Sequence, residues 1–100
     1  MTIKAAIFGA SGYTGVELIR ILLNHPKVEI SALCGESSAG KNISEIFPHL
    51  IGKNLPKIEK VSATDFSSID VVFCCLPHGF GHQISKSLMA NYNVKIIELS

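Results

Sequence analysis

One hundred residues set the scale of one domain or part of one. Hydrophobic residues make up 47%, and nine basic residues nearly balance eight acidic ones, which fits a packed domain and excludes a basic nucleic-acid surface or an acidic disordered tail. No apolar run approaches the roughly 18 residues of a membrane span, no long apolar leader opens the chain, and three cysteines in apolar runs argue against a disulfide framework, so a reducing cytoplasm is the expected compartment.

The run Ile3-Lys4-Ala5-Ala6-Ile7-Phe8 reads as a first strand. A glycine-rich turn follows, and residues 14–24 read as a helix. On it Glu17, Arg20 and Asn24 form one polar stripe, while Val16, Leu18, Ile19, Leu22 and Leu23 cover the rest. This predicts a helix buried on most of its circumference. Asn24-His25-Pro26 ends it, because the residue before a proline is pushed out of the α region. Residues 28–34 alternate Val28, Ile30 and Ala32 with Glu29, Ser31 and Leu33, the pattern of a second strand. Residues 35–57 predict an irregular loop with one helical turn near Ser44 to Phe47, and Lys57 to Val61 a short third strand. Asp70 to Leu76 is apolar on both faces, as a central parallel strand must be. Pro77-His78-Gly79 breaks it, Ile84, Leu88 and Tyr92 give a helical stripe, and Val94 to Leu99 forms the last strand.

There is no internal repeat or linker, so residues 1–100 are expected to belong to one unit. The βαβ rhythm predicts an α/β fold: a Rossmann-like, doubly wound parallel sheet in three layers with right-handed crossovers. Ligands of such sheets bind beyond the carboxyl ends of the strands. A chain that stops at Ser100, just after a strand, is expected to be truncated, with catalytic and dimerisation parts lying further on. The apolar last strand would then lack partners and invite association.

The stretch Gly9-Ala10-Ser11-Gly12-Tyr13-Thr14-Gly15 carries the strongest chemical signal. Strand, glycine turn and helix together let backbone N–H groups meet a pyrophosphate. The spacing departs from the strict dinucleotide fingerprint, which has a glycine where this chain has Ser11. Gly9 can still make the turn, Gly12 can admit a phosphate and Gly15 can let the helix pack close. The hydroxyls of Ser11 and Thr14 can add hydrogen bonds. The competing reading is a turn whose glycines serve packing alone.

After the second strand, Gly35-Glu36-Ser37-Ser38-Ala39-Gly40-Lys41 should meet the adenosine ribose. Here the signals conflict. Glu36 would repel a 2′-phosphate, whereas Ser37, Ser38 and Lys41 would receive one, and a solvated loop with no ligand is the alternative. Gly35, Gly40 and Lys41 also imitate a phosphate-binding loop of nucleoside triphosphatases, but Asn42 stands where a Ser or Thr should hold Mg²⁺. Pro77 and His78 fall at the same sheet edge as the glycine turn and are expected to line the nicotinamide half of the cofactor. A metal site from Cys75, His78 and His82 is disfavoured, since adjacent Cys74 and Cys75 point to opposite strand faces. A cysteine in an apolar strand has its thiol pKa raised, the wrong direction for a nucleophile.

Four stretches together resemble the N-terminal part of the N-acetyl-γ-glutamyl-phosphate reductases, an enzyme family of arginine biosynthesis. They are Gly9 to Leu18; Ala39-Gly40-Lys41 with Phe47-Pro48-His49-Leu50; Asp70 to Phe73 with Leu76-Pro77-His78-Gly79; and Ile96 to Ser100. The first alone would also suit aspartate-semialdehyde dehydrogenases. The resemblance implies NADP(H) as cofactor, an acyl-phosphate substrate and covalent catalysis by a cysteine followed by hydride transfer. It implies cofactor contacts at Ser11, Gly12, Tyr13, Thr14, Pro77 and His78. It places the nucleophilic cysteine and a basic histidine beyond residue 100, so this chain alone is expected to be inactive, and it implies a homo-oligomer at full length. Many members have Ser-Arg where this chain has Gly35-Glu36. The alternatives are a semialdehyde dehydrogenase acting on another acyl phosphate and a non-catalytic nucleotide-sensing domain.

Overall fold

The computed structural model describes residues 2–35, 38–50, 52, 55–75, 92 and 94–99. Among them, strand β1 (Ile3–Phe8) leads through the glycine turn to helix α1 (Tyr13–Leu23) and then to β2 (Val28–Cys34). A four-residue helix α2 (Ile43–Ile46) and a 3-10 turn at Pro48–Leu50 precede β3 (Ile58–Glu59). A second 3-10 turn at Val61–Ala63 leads towards β4 (Val71–Cys74), and β5 (Lys95–Glu98) is the last described strand. The strands form one sheet in the order β3-β2-β1-β4-β5, every pair parallel. The chain winds outward from β1 to β3 and then resumes on the other side at β4. The winding therefore reverses between β1 and β4, where such sheets open a crevice at their carboxyl edge.

A parallel strand at the centre of a sheet is apolar on both faces, and β1 shows this most clearly: Ala5, Ala6, Ile7 and Phe8 are fully buried. On one face Ala6 and Phe8 pack with Ala32, Cys34, Val72, Cys74, Phe66, Ile69 and Val94. On the other, Ile7 packs with Leu33 and Ile58 of the sheet, with Val16, Ile19 and Leu22 of α1, and with Ile43 and Leu50. The Phe8 ring meets Phe66 edge-on at 5.8 Å, and Phe66 in turn lies 5.8 Å from the Tyr92 ring.

Several sequence expectations are corrected. The second strand does not keep one alternation. β1 pairs Ala5 with Ile30 but Ala6 with Ala32, so Ser31 is skipped as a bulge. Ile30 thereby joins the α1 face, while Ala32 joins the opposite one. The first helix is buried on a single stripe rather than on most of its circumference. Gly15, Val16, Ile19 and Leu22 face the sheet, whereas Ile21 is 53% exposed. One sheet face can cover only one side of a helix. The polar stripe is as expected: Arg20 pairs with Glu17 at 2.8 Å, and Asn24 caps the helix end with its Nδ2 donating to the Arg20 carbonyl. The third strand is only Ile58–Glu59, because the chain turns at Val61. The helical turn starts one residue earlier than predicted, at Ile43, since the Glu45 carboxylate accepts the Asn42 N–H at 2.7 Å and fixes the start there. The predicted helix stripe at Ile84 and Leu88 lies outside the described residues, and Tyr92 sits in a bend.

Two local devices hold the layers in place. Gly15 lies where α1 crosses the turn after β1. A Cβ there would sit 2.5 Å from the Gly9 carbonyl oxygen and 2.9 Å from the Ala10 Cα. At the opposite edge, the Lys4 N–H donates to the Asp70 carboxylate at 2.8 Å while the Asp70 N–H donates to the Lys4 carbonyl at 2.8 Å. The Lys95 N–H then donates to the Asp70 carbonyl, so one residue ties β1, β4 and β5 together at their starts.

Gly15→Ala should lower stability by about 1–2 kcal/mol, because overpacking against backbone outweighs the gain in helix propensity. Chemical denaturation would read it as a lower midpoint at unchanged slope. Asp70→Ala should lower Tm by roughly 3–6 °C, and Asp70→Asn, which keeps an acceptor oxygen, by less. Equal losses in the two Asp70 variants would remove the acceptor role assigned to the carboxylate.

Candidate cofactor site

The carboxyl ends of the strands are drawn together by backbone hydrogen bonds. The Gly9 and Ala10 N–H groups both donate to the Cys34 carbonyl, at 2.9 and 3.2 Å, which joins the glycine turn to the end of β2. The Cys75 N–H donates to the Phe8 carbonyl at 2.9 Å, and the Leu99 N–H to the Cys74 carbonyl at 3.0 Å. The Gly35 N–H donates to the Glu59 carbonyl at 3.0 Å. One edge therefore carries the turn after β1, the loop after β2 and the ends of β4 and β5.

The three glycines of the turn serve three separate purposes. Gly9 has φ +77°, a left-handed conformation that side chains rarely adopt, and it reverses the chain out of β1. Gly15 is fixed by helix packing, as described above. Gly12 differs from both. Its φ is −87°, open to any residue, and a Cβ built on it would meet nothing nearer than the Gly9 carbonyl oxygen at 3.5 Å. Neither conformation nor packing against the described residues requires glycine there. Gly12 is exposed and forms the N-cap of α1. The bare backbone at this point suits a group that approaches from outside.

The electrostatics agree. The N-cap offers no side-chain acceptor, and the first turn of α1 holds no acidic residue. The leading N–H groups of the helix and its positive dipole end thus face the crevice without a competing carboxylate, which suits a phosphate. Gly12 backbone, Ser11, Thr14 and these N–H groups are the parts that fit a pyrophosphate.

Ser11 and Ser38 both lie near Gly35. A Cβ on Gly35 would lie 3.9 Å from the Ser11 Oγ and 3.9 Å from the Ser38 Cβ, with Ile58 at 3.3 Å behind. Ser38 is the buried polar residue of this crevice, 9% exposed. The loop that carries it is pinned to β3. Gly40, at φ +90°, donates to the Ile58 carbonyl at 2.7 Å, and the Ile58 N–H donates to the Lys41 carbonyl at 2.9 Å. The Lys41 N–H donates back to the Ser38 carbonyl, and the Lys41 side chain is exposed at the rim.

Of the residues expected from sequence, Gly9, Ser11, Gly12 and Gly15 lie in and just after one turn, Ser38 lies with Ser11 near Gly35, and the Lys41 side chain is exposed. Tyr13, 86% exposed, and Thr14 border a groove with Leu18, Ile21 and Leu99. Glu36, Ser37, Pro77 and His78 lie outside the described residues. Sequence reasoning gave Gly35 no packing role, yet a Cβ there would lie 3.3 Å from the Ile58 side chain. The signal was a glycine directly after a strand in a nucleotide-binding pattern. The phosphate-loop imitation from Gly35 to Lys41 fails structurally: Gly40 and Lys41 bond to β3, and the helix that follows has four residues.

The cysteines behave as apolar side chains. Cys34 and Cys74 are buried in one core cluster, with the Cys34 sulfur 3.4 Å from the Thr64 hydroxyl, and Cys75 packs on the opposite face. Burial pushes the Cys75 thiol pKa up, and the neighbouring Cys74 adds to the shift. A raised pKa keeps the sulfur protonated and unreactive. Among the described residues no cluster of three His, Cys, Asp or Glu side chains is placed to hold a metal, and no helix is long and apolar enough to cross a membrane.

The chain is similar to known proteins in sequence and fold. The chain is 52% identical over 99 residues to N-acetyl-gamma-glutamyl-phosphate reductase of Paracoccus denitrificans, covering 99% of this chain and 28% of that protein. It is 45% identical over 98 residues to a probable chloroplastic N-acetyl-gamma-glutamyl-phosphate reductase of Oryza sativa subsp. japonica, covering 98% of this chain and 23% of that protein. The chain thus spans less than a third of the length of the curated relatives it matches. Among solved structures, aspartate semialdehyde dehydrogenase with NADP from Candida albicans superimposes with a TM-score of 0.81 at 28% identity, covering all of this chain and 30% of that one. Residues 4–100 match the family model described as semialdehyde dehydrogenase, NAD binding domain, and the chain belongs to that family.

Proposed function

We propose that the chain is the NADP(H)-binding part of a longer, cytoplasmic N-acetyl-γ-glutamyl-phosphate reductase, a homo-oligomer at full length. The observation that carries this reading is Gly12, a glycine that neither backbone conformation nor packing among the described residues demands, placed at a helix N-terminus with no side-chain cap. Identities of 43–52% to the bacterial reductases, against 28% to the aspartate semialdehyde dehydrogenase, favour the glutamyl substrate over the aspartyl one.

Within this reading the residues divide the work. The α1 N-terminus and the Gly12 backbone bind the pyrophosphate, and the Ser11 hydroxyl orients it. Ser38 and Lys41 receive the 2′-phosphate, with Ser37, and Pro77 and His78 border the nicotinamide half. When bound, NADPH supplies the hydride that turns a thioester into N-acetylglutamate semialdehyde. That thioester forms when a cysteine beyond residue 100 attacks the γ-acyl phosphate and phosphate leaves, and a histidine beyond residue 100 handles the protons. The described part of this chain therefore binds and orients, and the covalent chemistry belongs to the remainder.

Gly12→Ala should raise the Kd for NADPH by about tenfold or more, a cost of roughly 1.4 kcal/mol, while Tm stays within about 2 °C. Fluorescence titration and thermal unfolding read the two quantities separately, and unimpaired binding would defeat the assignment of Gly12. Lys41→Ala should weaken NADPH by about three- to tenfold and leave NADH unchanged, whereas Glu36→Arg should shift the ratio the other way. A ratio unmoved by both would separate this loop from the 2′-phosphate. For the substrate, the chain with its natural continuation should turn over N-acetylglutamyl phosphate and not aspartyl phosphate.

A further inference from the structure

Lys60 stands at the carboxyl end of β3, beside the loop after β2. The carbonyl of Glu59, the residue before it, accepts the Gly35 N–H at 3.0 Å, so the step from β3 into Lys60 is held against the first residue of that loop. The Lys60 backbone is extended, with φ −71° and ψ 149°, and continues the alternation of β3. Ile58 and Lys60 therefore leave the strand on one face. Ile58 marks that face: a Cβ on Gly35 would lie 3.3 Å from the Ile58 side chain, and 3.9 Å from both the Ser11 Oγ and the Ser38 Cβ. Lys60 is thus set one strand step beyond Ile58, on the side of the two serines. Its carbonyl accepts the Ala63 N–H at 3.0 Å and the Thr64 hydroxyl at 2.9 Å, which fixes the backbone from which its side chain leaves. That side chain is exposed, and among the described residues it makes no ion pair.

A phosphate ester carries a charge of about −2 near neutral pH. From Gly35 to Lys41 the chain supplies a single cation, Lys41, and an opposing charge, Glu36. Neighbouring strands lie about 4.8 Å apart, a gap that the four-carbon stem of a lysine spans. Resting on the reading of the chain as the NADP(H)-binding part of a reductase, we propose that Lys60 is a second cation of the 2′-phosphate subsite, and that Lys41 and Lys60 together set the preference for NADPH over NADH. Both are anchored to the same short strand: the Lys41 carbonyl accepts the Ile58 N–H at 2.9 Å, and Lys60 follows Ile58 by one alternation. Lys57 is also exposed but stands at the amino end of β3, away from the edge where the cofactor binds. It provides the control for a general effect of surface charge.

The test measures Kd for NADPH and for NADH by fluorescence titration, on the chain with its natural continuation. Lys60→Gln should weaken NADPH by about three- to tenfold and leave NADH within about twofold, with Tm within about 2 °C because the site is exposed. Lys60→Arg, which keeps the charge, should hold NADPH within about twofold of the unsubstituted protein. Lys57→Gln should move neither cofactor. NADPH affinity should also fall less steeply with added salt in Lys60→Gln, since one screened contact is gone. An unsubstituted protein that prefers NADPH, with the same preference in Lys60→Gln, overturns the role of Lys60 and leaves the cofactor reading standing. An equal loss in Lys57→Gln overturns it as well. So does a loss that disappears in the Glu36→Gln background, which would make Lys60 the counter-ion of Glu36 rather than of the phosphate. An unsubstituted protein that binds neither cofactor sinks the cofactor reading and Lys60 with it.

Discussion

The approach of α1 to β1 is the constraint on which the rest depends. At Gly9 and Gly15 the helix and the strand end come so close that a single Cβ would strike a carbonyl oxygen. That contact seats Val16, Ile19 and Leu22 on the sheet. It also sets the exposed Gly12 backbone at the N-terminus of α1. A wider approach would lose that packing.

The crevice is built mainly from backbone. N–H groups of Gly9, Ala10, Gly35, Cys75 and Leu99 tie neighbouring strand ends together, and the side chains that remain are small: Ser11, Ser38, Thr14 and the glycines themselves. A site of this kind gains its affinity from dipoles and close approach, which suits a phosphate-rich cofactor and leaves little chemistry to perform. Burial raises the Cys75 thiol pKa, which keeps that sulfur protonated.

The two faces of the sheet differ in how they are finished. One carries the Phe8, Phe66 and Tyr92 rings in a chain from the centre outward. Among the described residues, the other is closed over β1 and β2 by α1, while Ile97 and Leu99 remain exposed. β5, with Lys95 and Glu98 at its ends, is an edge strand of the described sheet.

Read alone, the sequence located β1, α1, β2, β4 and β5 to within a few residues, because periodicity and the punctuation of glycine and proline are local properties. It also marked Gly9, Ser11, Gly12 and Gly15 as a candidate phosphate turn, from two equal glycine spacings between a strand and a helix. It could not show that Ser31 bulges out and sends Ile30 and Ala32 to opposite faces, because a bulge depends on the register with β1. It also placed Leu18 and Leu23 on the covered side of α1, yet both are only partly buried, because an apolar side chain does not disclose how far its neighbours cover it. Only the fold separated the three glycines, one held by conformation, one by packing and one left open. That distinction rests on the distance from an absent Cβ to atoms elsewhere in the chain, and no spacing in the sequence encodes it.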